Sequence, residues 1–558
     1  MEDVQHLLEW IGSMLLHDEA TDLTLIVAGV EIPVHRNLLA GSCEYFRALL
    51  CGGMDESRQS KIVLPGVPLR GFKEILKYIY TTKLNFQDLD EVSLLEILEI
   101  AHLYGLEKLE SSLSEHLEKA LSVENVCMVY ETAHSLNLEL LSESCRRFMD
   151  QQSHALLRDE AFYKLPASAI AQLLSRNTFY VKEIEIFGAV KQWCDMNPTD
   201  RELPEVLDSV RLPLIDIVNL ATTVKDSGLF AGDRLREARR LKEKHLADLP
   251  VRGIMTSGEN LATADRGSVE LTGLLPVSSP SSTPRIKYEI KAMPPCASKV
   301  KVDSSKGLTI ALSENFFINY IAFRLSEEAP VPASYYIEAS LDLLVWARII
   351  DFSGFACRSL QRLFFNTRIV RYLRIIFSMG ADRNDIVLSG LEVARSLEKF
   401  TLVHGFYAPR ENVASTELGA TVIECGGGKD GLIDKMNASK PGISKGTWHR
   451  IGGGAIILQL SQPYSINYMR LLLHTLPSRG YSYYIETSVN KREWTRVVDR
   501  TAEDCVYWQS LSFPSLPVAF IKIVATSSRS GEYFECSNFE CRAMSEGSRR
   551  ERMPLEPV

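Results

Sequence analysis

The residues best placed to do chemistry form a recognition element. Met54-Asp55-Glu56 sets a large apolar side chain two positions from a carboxylate, after Gly52-Gly53 and before the short strand pattern Lys61-Ile-Val-Leu-Pro65. In an exposed loop a methionine either packs back on its own domain or fills a pocket on a partner. A glutamate beside it can accept from a donor or a helix N-terminus. Asp55 and Glu56 are adjacent carboxylates, but no base or nucleophile accompanies them. Asp22 and Arg36 carry opposite charges, and either alone reads as a solvated surface charge. If both are buried they must meet, because an isolated buried charge costs several kcal/mol or more.

Reaction chemistry finds little support elsewhere. Gly426-Gly-Gly-Lys429 is followed by Asp430, and Ile423 stands where a phosphate-binding loop needs its first glycine. The motif lies among strand patterns and reads as a turn, as does Gly452-Gly-Gly454. There is no Gly-x-Ser-x-Gly elbow and no His-Glu-x-x-His, and the histidines are dispersed. His35 has no second ligand near it and reads as structural. Trp346, Trp494 and Trp508 fall within strand patterns and are expected in the core. No catalytic, cofactor or metal residue is assigned, so catalysis would come from a partner.

The bulk numbers exclude several classes. A chain of 558 residues is long enough for about three to four domains. With 46% hydrophobic and 24% charged residues, each can bury a core. A net charge of −9 argues against nucleic acid as a partner, because phosphate binding needs a concentrated basic face. No run of about 18 apolar residues spans a membrane, and the start, MEDVQHLLEW, is not a secretory signal. Eleven cysteines without a Cys-x-x-Cys fit reduced thiols and a cytoplasmic location. Asn437-Ala438-Ser439 is a chance glycosylation triplet on that reading.

The elements around Met54 are legible. Leu38, Leu39, Phe46, Leu49 and Leu50 recur near helical spacing, and Gly52-Gly53 ends that helix. Upstream, Val4, Leu7, Leu8, Ile11, Met14 and Leu15 share one helical face. Leu23–Val27 and Glu31–Val34 read as a hairpin around Ala28-Gly29-Val30. Phe72–Tyr80 and Val92–Tyr104 are helical, with Gly105 at a capping position. Leu106, Leu109, Leu113, Leu117 and Leu121 continue an apolar stripe. More helices follow to about Leu246, broken near Pro166, Pro198 and Pro204.

Asp22-Leu-Thr-Leu-Ile-Val27, Pro33-Val-His-Arg36, Leu38-Leu-Ala40, Ser42, Tyr45-Phe46 and Met54-x-Glu56 together resemble a BTB (POZ) domain over residues 1–117. In relatives that recruit cullin-3, a hydrophobic-x-Glu element at this loop contacts the cullin, which points to Met54 and Glu56. The resemblance also implies a homodimer, with Leu7, Leu8, Ile11, Asp22 and Arg36 at its interface. Asn125-Val-Cys127, Ala133, Cys145, Phe148, Leu165-Pro166, Glu183-x-x-Ile186-Phe187, Trp193 and Arg211-Leu-Pro-Leu214 resemble a BACK domain over 118–249, and most of these residues are expected to pack between helices.

Near Pro250 the period switches to short alternating strands, and the chain repeats. Tyr335-Tyr-Ile-Glu338 recurs as Tyr483-Tyr-Ile-Glu486 at an offset of 148 positions, which also links Trp346 to Trp494, Asp351 to Asp499 and Gln361 to Gln509. Gly253, Glu259, Asn260 and Ala262 recur 152 positions on as Gly405, Glu411, Asn412 and Ala414. A period this long means two whole domains. In the second copy Ala455–Leu460, Ile466–Leu473, Tyr481–Ser488, Trp494–Asp499, Trp508–Phe513 and Ala519–Ala525 have strand length and suggest a sandwich. They resemble the discoidin jelly roll. This gives a discoidin-like domain at 400–543, a degenerate one at 250–396 with a Ser/Pro insertion at Val277–Pro284, and a disordered tail at 544–558. Cys541 lies at the end of the second copy, but no cysteine stands at its start to close the disulfide usual in secreted relatives.

The expected fold is multidomain: an α+β BTB/POZ domain, an all-α BACK domain and two all-β discoidin-like jelly-roll sandwiches. The resemblance implies a non-catalytic substrate-receptor adaptor of a cullin-3 ubiquitin ligase, with a protein substrate held by the discoidin-like pair. The alternative is a dimeric scaffold outside ubiquitination. A third reading, lipid or glycan binding through the loop His474–Gly480, rests on one apolar tip, Leu476, and no membrane partner is expected.

Overall fold

The computed structural model describes residues 21–53, 55–198, 203–242, 244–277, 285–293, 299–303, 306–326, 332–379, 386–429, 431–433, 446–473, 480–529 and 531–544. Leu7, Leu8, Ile11, Met54 and Leu476 lie outside these residues. The chain divides into two compact units, Met1–Lys242 and Glu243–Val558.

In the first unit, β1 (Leu23–Val27) and β2 (Val30–Val34) make the expected hairpin. Ala28 and Gly29 both take positive φ (48° and 79°), the turn geometry whose twist matches the flanking strands. Helices α1 (Arg36–Ser42) and α2 (Glu44–Cys51) follow, and then β3 (Lys61–Leu64) pairs parallel to β1. Alternate residues Leu23, Leu25, Val27, Ile62 and Leu64 are buried, so one face of the three-stranded sheet lies on the core. Helices α3 (Leu69–Thr81) and α4 (Glu91–Tyr104) pack together, and Gly105 caps α4 at φ 68°. Helix α5 (Glu107–Lys119) buries Leu109, Leu113 and Leu117.

The BACK region continues as α6 (Val126–Ser135), α7 (Glu139–Gln151), α8 (Ala167–Ser175), α9 (Glu183–Met196) and α10 (Gly232–Leu241), with short helical turns between. Its marker residues are structural, as expected. Buried Asn125 donates to Glu91 Oε1 (2.7 Å) and to the Ala120 carbonyl (3.0 Å), pinning α6 to α4 and the end of α5. The Trp193 indole donates to the Leu165 carbonyl at 3.0 Å, and Glu183 accepts from the Arg211 backbone at 2.7 Å. Each bond satisfies a polar group withdrawn from water.

The second unit holds two β-sandwich copies. The first comprises β4 (Val269–Val277), β5 (Arg285–Ala292), β6 (Val300–Val302), β7 (Leu308–Leu325), β8 (Ala333–Ser340), β9 (Ala347–Cys357), β10 (Leu360–Met379) and β11 (Ile386–Ala394). After the small hairpin β12 (Leu402–Val403) and β13 (Phe406–Tyr407), the second comprises β14 (Thr421–Glu424), β15 (Thr447–Arg450), β16 (Ile456–Leu473), β17 (Tyr481–Ser488), β18 (Thr495–Cys505), β19 (Trp508–Ser528) and β20 (Tyr533–Arg542). The sequence patterns at Ala455–Leu460 and Ile466–Leu473 are not two strands. They are the two arms of β16, which pairs with β19 on both sides of a register break between Gln459 and Tyr464. Likewise Trp508–Phe513 and Ala519–Ala525 join in β19. Long strands that bend at a break carry the chain from one layer to the other.

The repeat holds at the level of contacts. Glu338 pairs with Arg374 at 2.6 Å, and Glu486 pairs with Lys522 at 3.2 Å. Arg348 lies over the Tyr336 ring at 3.9 Å, and Arg496 over Tyr484 at 3.8 Å. Asn260 Oδ1 accepts from Ala262 and Val393 backbone N–H groups, as Asn412 Oδ1 does from Ala414 and Cys541. The copies join head to tail. Gln361 Nε2 and Arg358 N both donate to the Ser461 carbonyl (2.9 Å each), while Gln462 exchanges two bonds with the Arg362 backbone (2.6 and 2.8 Å).

The tryptophans depart from expectation. Trp346 and Trp494 precede β9 and β18, half-buried beneath Arg374 (4.1 Å) and Lys522 (5.3 Å). Trp508 is 37% exposed and is not a core residue. On β19 it shares a side with Ser510 and Ser512, whereas Leu511 and Phe513 point into the core. The glycine motif is the expected turn. The N–H groups of Gly426 and Gly427 donate to the Trp448 carbonyl, and a Cβ on Gly426 would come within 2.5 Å of the indole.

Candidate partner-binding loop

The chain is held on both sides of Met54. Helix α2 stops at Gly52, whose N–H donates to the Ala48 carbonyl at 2.9 Å, and Gly53 takes φ 77°. A single 3-10 turn, Asp55–Arg58, follows and carries Glu56. The far end is fixed by Arg36, whose guanidinium donates to the carbonyls of Ser57 (2.9 Å) and Gln59 (2.6 Å). The Thr24 N–H then takes the Ser60 carbonyl at 2.9 Å, leading into the β1–β3 pairing.

Asp22 and Arg36 do meet, through a backbone group. The Asp22 carboxylate accepts from the Arg36 N–H at 2.7 Å, satisfying one of the open donors at the start of α1. In the single chain Asp22 is exposed and Arg36 half-buried. Arg36 therefore braces the loop within its own chain. The residues expected beside this pair at a dimer interface, Leu7, Leu8 and Ile11, lie outside the described residues, as does Met54.

The floor beneath α2 is aromatic. Phe46 and Tyr104 are fully buried with ring centroids 4.8 Å apart, and Tyr45 lies 4.7 Å from Tyr104 while remaining 37% exposed. Burial raises the Tyr104 phenol above its usual range, with smaller contributions from Tyr45 and Cys43. Leu103, the residue before Tyr104, is 58% exposed. Tyr45 and Leu103 thus add apolar surface beside α2, about 9 Å along the helix from its Cys51 end. The sequence reading assigned neither to a site. The signal was present for Tyr45: it adjoins Phe46 in a helix whose apolar stripe runs through Phe46, so it must face away from the core. His35 is structural: its N–H donates to the Tyr80 hydroxyl at 2.9 Å, and its Nδ1 lies 2.9 Å from the same oxygen.

A cavity of about 300 Å³ lies in the helical region, lined by Tyr130, Arg146, Met149, Gln172, Leu173 and Arg176. Both guanidiniums already have carboxylate partners: Arg146 meets Glu139 and Glu143, and Arg176 meets Asp150 at 2.6 Å. Among the described residues no three His, Cys, Asp or Glu side chains are placed to hold a metal ion. None of the described helices is long and apolar enough to cross a membrane.

The arrangement is that of a BTB–BACK protein with β-sandwich copies at its C-terminal end. The BTB/POZ domain model matches residues 11–121, and the BACK model, BTB And C-terminal Kelch, matches residues 126–225. BTB/POZ domain-containing protein 9 of Homo sapiens is 36% identical over 553 residues, covering 97% of this chain and 88% of that protein. The Drosophila melanogaster protein of the same name is 34% identical over 539 residues, covering 95% and 73%. Kelch-like protein 6 of Homo sapiens is 29% identical over 223 residues, covering 39% of this chain and 35% of its own length. The chain belongs to the family of BTB/POZ domain-containing protein 9.

Proposed function

We propose that this protein is a substrate-receptor adaptor of a cullin-3 ubiquitin ligase. The BTB region, taken as 1–117, would dimerise and hold the cullin. The BACK region, 118–249, would extend that surface, and the discoidin-like pair, 250–396 and 400–543, would hold a target protein. Met54 would fill an apolar pocket on cullin-3, and Glu56 would meet a donor or a helix N-terminus there. The protein would do no chemistry of its own. It would bring a target lysine to the ligase at high effective concentration, and dimerisation would add avidity.

The observation that supports this reading is how the chain on either side of Met54 is tied into the domain. Arg36 and the β1–β3 pairing fix the chain on one side of Met54–Glu56, and the end of α2 fixes it on the other. Membership of a BTB–BACK family supports the same reading.

The rival is a dimeric scaffold outside ubiquitination. The discriminating experiment reconstitutes cullin-3, its RING subunit, E1, E2 and ubiquitin with the full chain. The adaptor reading predicts ubiquitin conjugation to the chain itself, lost in Met54→Arg. Conjugation no greater with the wild type than with Met54→Arg would leave the scaffold reading standing.

A further inference from the structure

Both sandwich copies present the same strand patch on one face, and among the described residues the first copy's patch is covered while the second's is not. In the first copy Leu360 lies opposite Arg324, Arg362 opposite Ala322 and Phe364 opposite Tyr320, with Glu392 and Ala394 completing the row from β11. In the second, Trp508 lies opposite Leu472, Ser510 opposite Arg470 and Ser512 opposite Tyr468, with Glu540 and Arg542 completing it from β20. Every position corresponds at the 148-residue offset. Each middle pair carries one arginine, on β10 in the first copy and on β16 in the second.

The first patch shows what this surface accepts. The chain leaves β11 through a paired contact in which Asn319 exchanges two bonds with the Ser396 backbone (2.7 and 3.1 Å). It then crosses the patch. Phe400 and Tyr407 pack on Phe364 as tilted rings with centroids 4.9 and 4.6 Å away, and Glu398 and Glu411 pair with Arg362 at 3.2 and 2.7 Å. Burial disfavours the charged guanidinium of Arg362, but Glu411, Tyr320 and Glu398 outweigh this and raise its pKa.

The second patch starts alike: Asn467 exchanges two bonds with the Met544 backbone, at 2.7 and 3.0 Å. Yet Ser510 and Ser512 are exposed and Trp508 is 37% exposed. Arg470 stacks on Trp508 at 4.0 Å, and Arg542 lies over Tyr468 at 5.4 Å. Among the described residues neither arginine has a carboxylate partner, and Arg542 Nε is buried without an acceptor.

We propose that this open face of the second copy binds an extended acidic segment of a partner protein, with an aromatic residue stacking beside Trp508 and carboxylates meeting Arg470 and Arg542. The assignment rests on the reading that the C-terminal pair recruits targets. The first copy supplies the chemistry: two carboxylates on one arginine and two rings on the sheet. The second has the arginines and rings without their counterparts.

The test uses the full-length chain and fluorescence anisotropy. The probes are fluorescein-labelled 15-residue peptides, each with one phenylalanine and four glutamates at varied spacing, alongside the same set with lysine for glutamate. Glutamate peptides are expected to bind, more weakly at high salt, with a loss of roughly tenfold or more in Arg470→Glu and in Trp508→Ala. Both substitutions are at exposed or half-buried surface, and each variant must retain the wild-type thermal melt. Failure of every glutamate peptide to outbind its lysine counterpart, or binding unchanged in both variants, overturns the proposal. Binding seen only after removal of residues 545–558 would assign the face to the chain's own C-terminal segment and also overturn it. Cullin-3 titration of the same samples separates the two claims. Arg470→Glu should leave cullin binding intact, and Met54→Arg should leave peptide binding intact.

Discussion

Among single residues, the thiols offer a clean probe of the loop. Cys51 closes α2 and is exposed, one residue before the glycines that lead to Met54. Cys127 and Cys145 are buried, and burial pushes each thiol up to about 12. The thiolate is the reactive form. Brief treatment with N-ethylmaleimide should therefore label Cys51 before Cys127 or Cys145, as peptide mass mapping would read out. The adduct should weaken cullin-3 binding about tenfold or more by crowding the loop. Labelling of Cys51 with undiminished affinity would place the contact elsewhere. His449 makes a different test. Its Nε2 accepts from the Ala525 N–H at 3.1 Å, so Nδ1 carries the proton and donates to the Arg450 carbonyl at 2.9 Å. Burial lowers its pKa from 6.5, against the smaller opposing effect of that carbonyl. Below pH 6.5 the unfolded chain binds the proton more readily than the folded one, so this contribution to stability is present above that pH and lost below it. The melting temperature should fall between pH 7 and pH 5, with a shallower slope in His449→Gln. An identical slope would show that the ring does not titrate with unfolding.

At the scale of elements, local signals were readable and crossings were not. The hairpin turn at Ala28-Gly29, the Gly105 cap and the Leu109–Leu113–Leu117 stripe each depend on residues within a few positions of one another. The bends of β16 and β19 depend on partners far away in the chain, so each strand read as two. Trp508 was readable in principle, because strict alternation sets it with Ser510 and Ser512. Its aromatic character misled. The exchange of the patch arginine between β10 and β16 could not be read at all, since neither position matches in type across the repeat. Helix packing makes its own prediction. Gly71 lets α3 approach α4 closely, and a Cβ there would come within 2.9 Å of Ile100 Cδ1 and 3.3 Å of Glu96 Cβ. Gly71→Val should lower stability by about 1–3 kcal/mol through overpacking, seen as an earlier midpoint in urea. An unchanged midpoint would mean the two helices can separate at no cost.

For the whole molecule, the sequence showed the order of parts because each part has its own period: alternation, then helical stripes, then a repeat of about 150 residues. The stop between α2 and β3 at Gly52-Gly53 was legible too, but not the bonds from Arg36 to the Ser57 and Gln59 carbonyls. The central claim is that one end of the chain holds cullin-3 through Met54 and Glu56. Its most direct test is calorimetric titration of the full-length protein with the N-terminal domain of cullin-3, alongside Met54→Arg and Glu56→Lys, with sedimentation to confirm that all three share one oligomeric state. Binding by the wild type that each substitution weakens by about 2 kcal/mol or more is the predicted result. No binding by the wild type, or equal binding by both variants, would contradict it.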